Sequence, residues 1–155
     1  MSSETGGTPA RLREEALGAE TEEDPWSNFT SWSCSVSPAS DQDGKNRIEA
    51  SVRWFPSRIS FISNEVKKGS KEYFEISPDT FTGKDSYGHP EIYFPCQVVE
   101  GNKRSKLYTL NTSIDTHRFK SNGTQSDANK FVLSIARWIS NEVGCVNNPE
   151  IPTSA

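Results

Sequence analysis

Apolar residues recur at helical spacing in one long stretch of the chain, Ser126 to Gly144. Ala128, Phe131, Ile135, Ile139 and Val143 stand three and four apart, which draws one apolar stripe along an amphipathic helix. Leu133 and Trp138 widen that surface. Ser126 or Thr124 supplies an N-cap oxygen, Asp127 a negative charge in the first turn, and Gly144 a left-handed residue at the end.

Upstream of this helix the period changes to two. Thr30 to Val36 reads as a strand, and Arg47 to Trp54 is the clearest one, with Ile48, Ala50, Val52 and Trp54 on the inner face. Phe55-Pro56-Ser57 breaks it. Ile59 and Phe61 alternate in Arg58–Ser63, which predicts another strand, paired with the previous one as a hairpin. Asn64–Ser70 is a basic turn, Lys71–Ser77 a strand, and Pro78–Pro90 a loop with Gly83 and Gly88 at turns. Glu91–Val99 is a strand with Ile92, Phe94, Cys96 and Val98 on one face, and its Pro95 signals an edge or a bulge. Gly101-Asn102-Lys103-Arg104 turns the chain, and Lys106–Leu110 and Ile114–Lys120 give two last strands. The expected class is mainly β within α+β: an antiparallel barrel or sandwich of about six or seven strands, capped by one C-terminal amphipathic helix.

Charge divides the chain. Residues 1–25 carry seven acids against Arg11 and Arg13, whereas the other 130 residues carry 14 acids and 15 bases. The net charge of −4 therefore belongs to the N-terminal part, and the rest is nearly neutral. With little apolar content, residues 1–24 are expected to be a disordered acidic tail, although R-L-R-E-E-A-L-G-A-E favours helix locally. The expected domain is 25–147, followed by a flexible tail at 148–155. Trp26, Phe29 and Trp32 are expected to pin the chain entry to the core. The start of the chain lacks the charged-then-apolar order of a signal peptide, which suggests the cytoplasm or nucleus. On that basis the sequons at Asn28, Asn111 and Asn122 read as chance.

The residues offer little chemistry. Cys34, Cys96 and Cys145 are far apart and odd in number, so they suggest neither a disulfide framework nor a metal site. Cys96 is near His89 in sequence, but its alternation with Ile92, Phe94 and Val98 makes it a core residue rather than a nucleophile. His89, in Gly88-His89-Pro90, reads as a surface turn residue. No enzyme and no cofactor is expected.

The basic turns carry more. Lys67, Lys68 and Lys71 lie on one, Lys103, Arg104 and Lys106 on another, and Lys45 and Arg47 stand at the start of the second strand. If they converge at one end of the fold, they can bind phosphates of a nucleic acid or an anionic lipid. Ordinary solvated lysines are the competing reading.

The end of the chain, T-H-R-F-K-S-N and then S-D-A-N-K-F-V-L-S-I-A-R-W-I, resembles the pleckstrin-homology-like barrel superfamily, in which about seven strands are capped by a C-terminal helix with an inward tryptophan, here Trp138. The resemblance covers residues 30–144 as a topology and about 25 residues as a motif. It implies a binding module. Lys45 and Arg47 match the basic start of the second strand in the lipid-binding members, whereas Thr30–Val36 lacks the basic residues of their first strand. The expected function is a non-catalytic interaction module for a protein segment or an anionic head group. The alternative is a small viral-type nucleic-acid-binding accessory protein using the basic turns. A self-assembling capsid-like subunit is a third reading, disfavoured because such subunits lead with a basic arm.

Overall fold

The computed structural model describes residues 8–19, 29, 31–36, 48–115 and 125–154. Its elements run α1 (Thr8–Gly18), β1 (Ser31–Val36), β2 (Ile48–Phe55), α2 (Ile59–Lys67), β3 (Tyr73–Ser77), β4 (Thr80–Lys84), β5 (Pro90–Cys96), β6 (Val99–Glu100), β7 (Lys103–Arg104), β8 (Tyr108–Asp115) and α3 (Gln125–Val143). Six strands form one antiparallel sheet in the order β1-β2-β8-β5-β4-β3, and β6 pairs with β7 as a separate hairpin. The class is α+β, as the patterning predicts. The sheet is open, with β1 and β3 as its edges, and does not close into a barrel.

β2 behaves as its alternation requires: Ala50, Val52 and Trp54 are buried on one face. The register Trp54↔Leu110↔Phe94 carries that face across β8 and β5. α3 lies over it and inserts Val132, Leu133, Ile135, Ala136, Ile139 and Val143. Gly144 adopts φ +76°, and the N–H groups of Gly144 and Cys145 both donate to the Ser140 carbonyl, which ends the helix. β5 is buried along its whole length because both of its faces are covered. Its Pro95 lies beyond Phe81↔Tyr93, the last β4–β5 pair, so no β4 partner stands beside the residue without an N–H.

Several expectations are corrected. Arg58–Ser63 is not a strand hairpinned to β2; Ile59–Lys67 is α2. Ile59, Ile62 and Val66 are spaced three and four apart, and this stripe prevails over the Ile59/Phe61 alternation. Ile62 is buried against Phe81 and Tyr93 on the sheet face opposite α3, while Phe61 is half exposed. The Pro78–Pro90 loop contains β4. The two strands expected after Arg104 are the single strand β8, and residues 116–120 lie outside the described residues. In the C-terminal segment the Glu150 carbonyl accepts from Ser77 and Thr80, and the Pro152 carbonyl from Arg137 at 2.7 Å.

Within the stretch expected to be a disordered tail, Thr8–Gly18 is the helix α1. Leu12 and Ala16 of α1 are both 0% exposed, within the main core beside α3. The Trp54 indole donates to the Leu12 carbonyl at 2.9 Å, and the Trp32 indole to Glu15 at 2.9 Å. Arg13 donates to the carbonyls of Val143 and, at 2.8 Å, Val99. A marginal helix is thus stabilised by tertiary partners that its own sequence does not contain. Phe29 packs on Trp54 and Tyr108, as its expected core role requires; Trp26 lies outside the described residues.

Finally, two of the cysteines pair: Cys96 and Cys145 form a disulfide, which joins the end of β5 to the turn after α3. Spacing did not reveal it, because 49 residues separate the two.

Leu12→Ala should lower stability by about 2–5 kcal/mol, whereas Phe61→Ala should cost much less; urea melts compare the two. Cys145→Ser should cost about 2–4 kcal/mol, and added reductant should then have no further effect on its melt.

Candidate functional site

Among the described residues, the two predicted basic turns do not come together. Lys67 and Lys68 end α2, and Lys71 precedes β3 at the end of the sheet marked by Tyr73↔Gly83↔Glu91. Lys103 and Arg104 form β7, and Lys106 precedes Tyr108, which pairs with Cys96 at the other end of β5. Glu91 and Cys96 are five residues apart, about 17 Å along an antiparallel strand, so the two turns flank the sheet rather than form one patch. Lys68 is near Glu65 at 3.6 Å, and Arg104 donates to Gln97 at 3.4 Å. Lys45 and Arg47 lie outside the described residues, as do Arg118 and Lys120.

A concavity lies instead beside the β3 edge, on the face that carries α3. α3 packs over β5 and β8, and α1 is tied to β2 and β1 through Trp54 and Trp32. The β4–β3 half is left as the floor of a trough of about 720 Å³. Phe74, Thr82, Lys84 and Pro90 line it, and Asn129 of α3 forms a wall. Phe74 is 58% exposed at the rim of this trough. The charged lining is balanced: Lys71 and Lys84 against Glu72 and Asp85.

The opposite face carries a polar strip that the sequence reading missed. Gly83 lies between Tyr73 on β3 and Glu91 on β5. A Cβ at Gly83 would come within 3.3 Å of the Tyr93 ring and 3.1 Å of the Glu72 carbonyl, so the glycine leaves room for Tyr73 and Tyr93 to meet edge to face. The Tyr93 hydroxyl donates to the Glu91 carboxylate. Burial pushes Glu91 above the ordinary carboxylate range, with the Tyr93 hydrogen bond and Arg53 opposing it. Burial and the bond to Glu91 push Tyr93 upward as well. Arg53 donates to Asn111 at 3.2 Å, and Asn111 donates to the Ile92 carbonyl. Asn111 is buried in these bonds, which closes that sequon to glycosylation in the folded chain.

His89 continues the strip between two carboxylates, with Nδ1 2.9 Å from Asp85 and Nε2 3.3 Å from Asp115. It is largely buried, not a surface turn residue. Asp85 Oδ1 also accepts from the N–H groups of Tyr87 and His89, which closes the β4–β5 turn around Gly88 at φ +81°. Burial opposes the charge of Asp85, but those N–H groups and the imidazole outweigh it, so its carboxyl is held below the ordinary value. An Asp before a Tyr-Gly-His turn is a legible signal for such a turn; the Asp115 partner is not, being 26 residues away in sequence from His89.

The strip ties strands together, and among the described residues it presents no nucleophile beside a base. Cys96, the cysteine nearest His89 in sequence, is bound in the disulfide. Among the described residues no group of three or more His, Cys, Asp or Glu is placed to hold a metal ion, and no helix is long and apolar enough to cross a membrane. No protein-family model matches the chain, and neither a curated protein nor a solved structure shows significant similarity to it.

Asp85 is expected to stabilise the fold through its charge. A depressed folded pKa gives stability that is complete above the unfolded value of about 3.9 and is lost as pH falls through the folded value. Asp85→Asn should therefore melt lower than wild type near neutral pH, with the gap closing in acid; a gap independent of pH contradicts this account.

Proposed function

We infer that the protein is a non-catalytic recognition module that takes an extended protein segment along the edge of β3, with side chains reaching into the adjoining trough. The observation that carries this reading is the exposed Phe74 on an edge strand above a trough of about 720 Å³. An edge strand offers unpaired backbone donors and acceptors to a peptide, and pockets beside it select alternate side chains. Phe74 supplies the apolar anchor that such contacts need.

The charge pattern favours a peptide over a polyanion. Two lysines and two acids line the trough, and the basic turns stand at opposite ends of β5. A phosphate backbone or an anionic membrane needs several cations facing one way. The Cys96–Cys145 disulfide favours an oxidising compartment over the cytoplasm or nucleus that the sequence suggests.

Panning a random-sequence peptide library against the dilute protein tests the reading. Retained peptides should bind wild type, lose binding to Phe74→Asp, and respond weakly to salt. Binding to single-stranded RNA or phosphatidylserine vesicles at low salt, abolished by replacing Lys103, Arg104 and Lys106 with Ala, would overturn it in favour of a polyanion partner.

A further inference from the structure

We propose that the segment taken by β3 is β3 of a second copy, so that two sheets join edge to edge about a two-fold axis. This rests on β3 being the recognition edge. β3 is last in the sheet order, so its outer side has no strand partner among the described residues.

Antiparallel pairing of a strand with itself about a two-fold sets one residue opposite its own copy. With Phe74 on the axis, Phe74 faces Phe74 and Tyr73 lies opposite Glu75 in both halves. Lys71 stands two residues ahead of Tyr73, so Glu75 of the second copy, opposite Tyr73, is within reach of its long side chain. Opposite charges therefore meet twice, once in each half. At the centre, exposed Phe74 rings are removed from water in both copies.

The strand also limits the contact. The β3–β4 register shifts between Glu75 and Ser77, and the Glu150 carbonyl holds Ser77 and Thr80. The regular edge is thus short, centred near Phe74. A like-to-like contact of this kind closes as a dimer. The other edge, β1, reads Ser31-Trp32-Ser33-Cys34-Ser35-Val36 and has no charged residue with which to repeat the pattern.

Sedimentation velocity of the full chain across a broad concentration range tests the proposal. Wild type should show a monomer–dimer equilibrium, and Phe74→Lys should be monomeric. Glu75→Lys and Lys71→Glu should each reduce the dimer, and the two combined should restore it, because the exchanged charges meet again. All three positions are exposed, and circular dichroism checks that the variants keep the fold. A wild type that stays monomeric at the highest concentration overturns the proposal, as does a dimer indifferent to all four variants. A monomer that still holds library peptides through Phe74 overturns the homotypic pairing and leaves β3 as a recognition edge; a monomer that holds none overturns both.

Discussion

The turn that ends α3 is the constraint on which the rest of the structure leans. Gly144 takes a left-handed conformation that lets the N–H groups of Gly144 and Cys145 satisfy the Ser140 carbonyl. Arg13 satisfies the Val143 carbonyl from 130 residues away, placing a cation where the helix dipole is negative. A Cβ on Gly144 would approach Arg13 Nη1 to 2.9 Å, so the glycine serves both the turn and the docking of α1. Immediately beyond, Cys145 is bonded to Cys96 and Val146 donates to the Gln97 carbonyl. One short turn thus joins α3, α1, β5 and the β6–β7 hairpin, which Arg13 reaches through Val99.

That arrangement explains why the sheet is covered unevenly. α3 is fixed over β5 and β8, and α1 beside it reaches β2 and β1. Nothing in this pair extends over the far half of β4 and β3 on the same face, where the C-terminal segment covers only the Ser77–Thr80 end. On the opposite face α2 buries Phe81 and Tyr93 with Ile62. The trough is therefore a consequence of where two helices can be anchored, and Phe74 is exposed because none of the described helices reaches it.

The polar strip on the face that carries α2 is held by pairing. Glu91 is buried and keeps Tyr93 as its donor, and His89 sits between Asp85 and Asp115. A buried polar group left without partners costs more than a satisfied one returns, so such a strip specifies strand register strongly. It joins β4, β5 and β8 next to the trough and sets the position of Asp85, which lines it.

The sequence by itself determined the elements whose periodicity is local. It placed β2 with its inward residues, α3 from its stripe, Gly144 as its end, and the α+β class, because alternation and helical spacing are written in adjacent residues. It misread Ile59–Lys67 because a nine-residue helix is short enough for two periods to compete, and Phe61 supported the wrong one. Only the tertiary structure decided what depends on distant partners. Leu12 and Ala16 form a weak stripe until Trp54, α3 and Arg13 give α1 a surface to dock on. The basic turns read alike in sequence, yet the register puts them at opposite ends of β5. Phe74 and Phe94 look the same in a strand pattern; one lies under α3 and the other on the open edge. Local pattern fixes which face of a strand is apolar, whereas only the packing of helices across the sheet decides which apolar residues are left for a partner.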